Sequence, residues 1–255
     1  MFEKAIESEH TKSTLEAFDI DAIVVEPSYA GPRMPEGPED TMTLEFVTGM
    51  MQWFKDQKTI HIKYLWKILR ACKKLFASFP SLVDVPLSAG GQITVCGDTH
   101  GQFYDVLNLF SINGNPSPSN PYLFNGDFVD RGSFSTEVVI TFLAWKLLYP
   151  SAFFMSRGNH ETVSMNKMYG FEGEVRHKYD SKCMDAFTEV FNLLPLAHVI
   201  NNKASKTERA CLGCSHGLHS GVCHARGSLF AGQSFSGRHS QDQSQLPAAR
   251  LGPDG

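Results

Sequence analysis

Apolar positions along the first four-fifths of the chain recur with periods that switch from helical to extended and back. Val47, Met50, Met51 and Phe54 fall at i, i+3, i+4 and i+7, which puts one apolar stripe on a helix. Leu65, Ile68, Leu69, Cys72, Leu75 and Phe76 repeat that spacing before Pro80 stops a second helix. Short apolar runs follow at 93–96, 122–124 and 152–155, too short and too rich in β-branched or aromatic residues for helices. Amphipathic stretches at 102–111 and 135–149 lie between them. The order strand, helix, strand, helix, strand predicts an α/β fold with a largely parallel sheet. One more helix is expected where Met184, Phe187, Phe191 and Leu194 share a face.

The two ends differ from this centre. Residues 1–24 alternate charged and apolar positions, which suggests a frayed helix leading into a short strand at 22–25. Residues 26–41 hold Pro27, Pro32, Pro35 and Pro38 with Gly31 and Gly37, the chemistry of a linker. Residues 204–255 hold eight Ser and eight Gly, only Phe230 and Phe235 as aromatics, and no Ile. Ordering backbone costs about 1–2 kcal/mol per residue, and such a segment has little to bury against that cost. A disordered tail is expected there.

Composition narrows the class. The chain has 255 residues, 42% of them apolar, with a formal net charge of −4. Nothing in that balance favours nucleic acid or an anionic membrane. No apolar run reaches the roughly 20 residues of a membrane span. The start lacks an apolar signal region, and six cysteines in a chain of this length read as reduced thiols. A cytoplasmic or nuclear location is expected.

The chemistry sits where each expected strand ends. The first gives Gly97-Asp98-Thr99-His100-Gly101, the second Gly126-Asp127-Phe128-Val129-Asp130-Arg131-Gly132, the third Gly158-Asn159-His160-Glu161. The intervals, 127 − 98 = 29 and 159 − 127 = 32, each match one βαβ unit. Oxygen and imidazole ligands would therefore gather at the carboxyl edge of one sheet, where open α/β folds keep their sites. Each piece alone reads as a solvated turn or a helix cap. Together, in this order and spacing, they read as a site.

These three motifs resemble the signature of the PPP-type serine/threonine protein phosphatases. The segments at 126–135, 51–57 and 169–174 are similar to the branch in which a tetratricopeptide-repeat domain precedes the catalytic domain. The resemblance runs from about Phe2 to Lys203. It implies a calcineurin-like metallophosphoesterase fold, a β-sandwich flanked by helices, of which only the first half would be present. It implies the domain order 1–41 (a remnant of the post-repeat helix plus linker), 42–203 (the first part of the catalytic domain) and 204–255 (a tail outside the family). Chaperone-type partners of the repeats would be lost, leaving phosphorylated proteins as substrates.

By the same resemblance Asp98 and His100 bind one metal, Asp127 bridges two, and Asn159 binds the second. Carboxylate, imidazole and amide oxygen suit Mn, Fe or Zn, and two such ions can share a hydroxide that attacks phosphorus in line. Arg131 would clamp the phosphate, its planar fork matching two oxygens. His160 would protonate the leaving oxygen, oriented by Asp130.

The family supplies two more histidines to the second metal and another arginine to the phosphate, from segments with no counterpart after Lys203. A Met-His-Gly-Gly-Leu-Phe strand end should follow there. A suitable codon assignment for 222–230, read from its second base, returns that motif, and the same shift at 237–245 returns a helix of the family. The inference is that the tail is family sequence read out of frame, which sequencing the spliced transcript across 194–230 decides. Cys211, Cys214, His216, His219, Cys223 and His224 have zinc-like spacing. Out-of-frame sequence is not selected for ligands, so no zinc site is expected. The second metal site is expected to be incomplete, the sheet's inner face exposed, the chain aggregation-prone and its activity far below that of a complete enzyme. The alternatives are a catalytically impaired pseudo-phosphatase or a different metallophosphoesterase.

Overall fold

A computed structural model describes residues 13–35, 41–87, 91–200, 211–212 and 222–226. The helices are α1 (Thr14–Ala17), α2 (Leu44–Lys55), α3 (Ile62–Phe76), α4 (Phe103–Asn113), α5 (Ser135–Leu148), α6 (Val163–Tyr169), α7 (Phe171–Lys178) and α8 (Ser181–Phe191). The strands are β1 (Leu82–Val85), β2 (Gln92–Cys96), β3 (Tyr122–Phe124), β4 (Phe153–Met155), β5 (Ala197–Ile200), β6 (Cys211–Leu212) and β7 (Val222–Arg226). The helices and strands expected from periodicity form close to their expected bounds.

The strands make two sheets, β4-β3-β2-β7 and β1-β5-β6. Pairing is parallel from β2 through β3 to β4, with Val95 opposite Leu123 and Leu123 opposite Phe154. Period-two alternation then divides the central runs. Cys96, Tyr122, Phe124, Phe153 and Met155 face the helices and join the large core. Ile93, Val95, Leu123 and Phe154 face the other sheet and pack with Val85, Leu87 and Ile200. Burial on both faces explains why these runs read as continuously apolar.

This pairing corrects one expectation. The inner face of the sheet is not left in water: β1 and β5 form a second sheet over it, and Ile93, Val95, Leu123 and Phe154 are all buried. Neither strand is legible in the sequence. Leu82-Val-Asp-Val85 and Ala197-His-Val-Ile200 are four-residue segments whose partner lies more than a hundred positions away. The tail is also not wholly without structure, since the backbone of β6 pairs with β5 and that of β7 pairs antiparallel with β2. An open sheet edge offers unpaired N–H and C=O groups to any extended segment, whatever its side chains. Cys214, His216 and His219 lie outside the described residues.

At the other end, no strand forms at 22–25, and Val24 is exposed. The segment before the proline-rich stretch and Met34 within that stretch are nonetheless held: Leu15, Ile20 and Met34 are buried in the large core, and Phe18 stacks on Trp66 at 4.0 Å between ring centroids. Glu189 takes the Ser13 hydroxyl at 2.5 Å and the Thr14 N–H at 2.6 Å, pinning the start of α1 to α8. Residues 1–12, where the remnant helix was expected to begin, lie outside the described residues.

Helix α5 runs through the centre, buried on nearly all sides. Its Lys146 ammonium donates to the Pro150 carbonyl at 2.6 Å and lies over the rings of Phe79 and Phe154. Nearby on β5, buried His198 meets the Ser156 hydroxyl at 2.9 Å through Nδ1. Burial, and then the Lys146 charge, push the His198 imidazole down to about 4. The folded pKa is depressed, so the fold binds this proton less well than the unfolded chain. Stability from this group is therefore flat above about 6.5 and falls as pH drops from there toward 4, by about 3 kcal/mol in all. Urea midpoints of the wild type and His198→Phe, compared at pH 7 and pH 4.5, are expected to show the smaller acid loss in the variant. Equal losses would refute the assignment.

Candidate metal and phosphate site

The loops after β2, β3 and β4 carry the three motifs, and neighbouring parallel strands deliver them to the same edge. Asp98, Asp127 and Asn159 stand within four residues of Cys96, Phe124 and Met155, where those strands end. The loops are tied to one another through the main chain. Thr99 N and His100 N both donate to the Asp127 carbonyl, at 3.1 and 3.0 Å, and Gly101 N donates to the Phe128 carbonyl at 2.8 Å.

The backbone here is contorted. His100, Asp127, Asp130 and Arg131 all have positive φ, at 38°, 51°, 70° and 65°. Non-glycine residues in that region cost on the order of 1–3 kcal/mol each and persist only where their surroundings hold them. Gly158 is required by close approach: a Cβ there would stand 2.2 Å from Asp127 Oδ1 and 2.3 Å from Asp127 N.

One ligand atom each from Asp98, His100 and Asp127 lie within 4.8 Å of one another, the one such cluster among the described residues. His100 Nδ1 faces the Val129 carbonyl at 2.9 Å. A carbonyl only accepts, so Nδ1 carries the proton and Nε2 keeps its lone pair for a cation. One terminal atom of the Asn159 amide lies 3.1 Å from Asp127 Oδ2 and 3.3 Å from Oδ1. With nitrogen turned that way it donates to the carboxylate; with oxygen turned that way it joins an all-acceptor set that a cation would satisfy. Burial first, and then the Asp127 charge, raise the Asp98 carboxyl, against the pull of His100. Two carboxylates, an imidazole lone pair and an amide oxygen fit a divalent metal.

Beside this cluster stands a second constellation. His160 Nδ1 meets Asp130 Oδ2 at 2.9 Å, with both side chains buried. The carboxylate fixes the tautomer with the proton on Nδ1, and Nε2 accepts from Arg131 Nη2 at 3.2 Å. Arg131 is exposed, its backbone N–H bonded to the Tyr169 carbonyl at 3.1 Å and its guanidinium 5.9 Å from the Tyr169 ring. The imidazoles of His100 and His160 are 4.6 Å apart, so the two constellations adjoin. All seven residues singled out in the sequence are brought together.

Two acids that hold this arrangement were visible in the sequence only as letters within motifs. Glu161, fully buried, accepts from Asp127 N, Phe128 N and Gly158 N, each at 2.8 Å. It joins the second loop to the third. Burial pushes its carboxyl up to about 7, with the Asp127 charge adding to that, while the three N–H donors pull it down. Glu174 of α7 accepts from Ser135 N at 3.1 Å, Thr136 N at 2.8 Å and the Thr136 hydroxyl at 2.7 Å. It thereby caps α5, whose own preceding residue is Phe134, and fixes the helix start just after Arg131. Lys178 joins Glu174 and Glu137 at 2.8 and 2.7 Å.

Comparison with known proteins bears on this geometry. Residues 91–241 match the model of the calcineurin-like phosphoesterases, and residues 1–84 match the PPP5 TPR repeat region. The first match continues past Lys203 into the tail. In the structure, the segment 41–84 supplies α2 and α3, which share one core with α5 and α8. The chain is 51% identical over 203 residues to serine/threonine-protein phosphatase 5 of Homo sapiens, covering 79% of this chain and 40% of that protein. It is 58% identical over 179 residues to the protein of that name in Arabidopsis thaliana, covering 70% and 33%. A solved serine/threonine phosphatase from Saccharomyces cerevisiae, described as similar to human phosphatase PP5, aligns with a TM-score of 0.62 at 48% identity. That alignment covers 63% of this chain and 52% of the yeast chain. The chain thus spans about two fifths of the length of the human protein it matches. Strand-end motifs, sandwich and similarity agree: the chain belongs to the calcineurin-like phosphoesterases, in the serine/threonine phosphatase branch that includes protein phosphatase 5.

Proposed function

We propose that the site hydrolyses phosphoserine and phosphothreonine esters in proteins. The observation that carries this is the juxtaposition of the Asp98–His100–Asp127 cluster and Asn159 with an exposed arginine and a buried Asp130–His160 pair. Bound among those four ligands, divalent cations (Mn, Fe or Zn by donor type) would supply positive charge for the phosphoryl oxygens and activate the attacking water. Arg131 orients the phosphate, its fork turning from His160 Nε2 to two phosphoryl oxygens. That frees Nε2 to carry a proton and give it to the leaving serine or threonine oxygen. Asp130, accepting at Nδ1, holds the imidazole in the required tautomer and orientation. No protein nucleophile is needed, and Cys72, Cys96 and Cys183 are buried and outside any disulfide. Cysteines outside disulfides also accord with the reducing cytoplasm or nucleus as the proposed site of action.

The similarity at 1–84 supports protein partners for the amino-terminal side. Boundaries near 41 and 203 remain part of the proposal. A second reading is a chain that binds a single cation and turns over slowly. It is favoured by the lone three-ligand cluster among the described residues.

Phosphate release from phosphoserine, phosphothreonine and phosphotyrosine peptides, and alcohol release from a phosphodiester, each with and without Mn²⁺, test the function. Mn²⁺-dependent release from the first two alone is expected. Preferential cleavage of the diester would sink the proposal. Calorimetry separates the two readings: one bound cation per chain with slow turnover supports the second. Two cations with turnover in the ordinary enzymatic range of roughly 1–10³ s⁻¹ would exclude it.

A further inference from the structure

The Asp130–His160 pair is held by a residue that no motif marks. Asp130 takes three donors on its two oxygens. Oδ1 accepts from Phe171 N at 3.0 Å, while Oδ2 accepts from His160 Nδ1 at 2.9 Å and from Asn166 Nδ2 at 3.2 Å. The same Asn166 nitrogen donates to the His160 carbonyl at 2.7 Å. One amide therefore grips both members of the pair, the carboxylate of one and the main chain of the other.

The cost of this grip is visible. Asn166 is 1% exposed, and among the described residues its Oδ1 has no hydrogen-bond partner. Leaving a buried amide oxygen unpaired costs about 1–3 kcal/mol. Turning the amide over does not help, because its oxygen would then face the Asp130 carboxylate and the His160 carbonyl, two acceptors. The orientation is forced. An apolar side chain of the same volume would strand no acceptor of its own, but it would take the donor from the His160 carbonyl and from Asp130 Oδ2. An aspartate would set like charge against Asp130. Only a side chain with two hydrogens on one atom fits both partners here.

We infer that Asn166 is a positioning residue for the Asp130–His160 pair. It sets Asp130 Oδ2 at the height of the imidazole and fixes the His160 main chain, so that Nε2 points to Arg131 and the phosphate side. This rests on the role proposed above for His160 as proton donor, but its test does not need turnover.

The readout is the His160 Nδ1 proton in ¹H–¹⁵N NMR spectra of the whole chain, assigned by its loss in His160→Gln. In the wild type it should lie far downfield and exchange slowly. In Asn166→Ala it should move upfield and exchange about tenfold faster, as expected for a hydrogen-bond network that has lost one member. Asn166→Leu, which keeps the volume, should do the same where the alanine cavity unfolds the chain. An unchanged shift and exchange rate in either folded variant would overturn the inference. So would acceleration shared equally by all buried amides, which marks general loosening. A chain without phosphatase activity but with the His160 signal altered as expected would refute the proposed function and uphold Asn166.

Discussion

Glu161→Ala is expected to lower the unfolding free energy by about 4 kcal/mol, the largest effect of any single truncation at the site. The side chain is fully buried and, among the described residues, is the sole acceptor for the N–H groups of Asp127, Phe128 and Gly158. Removing it strands three donors, each worth about 1–3 kcal/mol, with water entering the gap offsetting part of the loss. Glu161→Gln should cost about half as much, because its amide oxygen still accepts while its nitrogen repels one N–H. Urea unfolding at pH 7.5 measures both. A loss under about 1 kcal/mol in the alanine variant would show that the loops hold their positive-φ conformations without the clamp. The consequence for chemistry is direct, since Asp127 N is one of the three donors.

Asp127→Asn should weaken Mn²⁺ binding by at least about 100-fold while making the metal-free chain more stable. The first part follows from removing a formal charge from a set of four ligands. The second follows from relieving the repulsion with Asp98, whose carboxyl that charge helps to raise. Asparagine retains an oxygen for His160 N, which Asp127 Oδ1 accepts at 2.9 Å, so the main chain keeps its path. Melting curves with and without Mn²⁺ separate the effects. A ligand at 100 times its dissociation constant stabilises by about 2.7 kcal/mol, which the wild type should show and the variant should lack. A variant with a lower metal-free melting temperature and an intact Mn²⁺ shift would show that the ion sits elsewhere. Stability and function pull in opposite directions at this residue.

How far the sequence carried can be read from particular residues. Asp98, His100, Asp127, Asp130, Arg131, Asn159 and His160 were all legible, because parallel strands repeat at a fixed interval and expose their ends at one edge. Helices α2, α3 and α8 were legible because a 3.6-residue apolar period survives in any context that buries one face, whereas α5, expected as amphipathic, is buried from Ser135 to Lys146. Strands β1 and β5 were not. Four residues carry too little period, and what makes them strands is a pairing between positions 82–85 and 197–200. Missing them led to the expectation of an exposed sheet face, which the sandwich closes with Val85, Leu87 and Ile200. Helices α6 and α7 were missed too. Each is shorter than ten residues, and they are joined at Gly170, where φ is 113°.

By itself, then, the sequence determined the candidate ligands and their donor chemistry, because donor type is a property of each residue and the interval between motifs is a property of the chain. Only the tertiary structure decided which groups hold those ligands in place. Glu161, Glu174 and Asn166 act through hydrogen bonds to partners on other loops and helices. Such bonds leave no period and no spacing, since each depends on where two distant backbones come to rest.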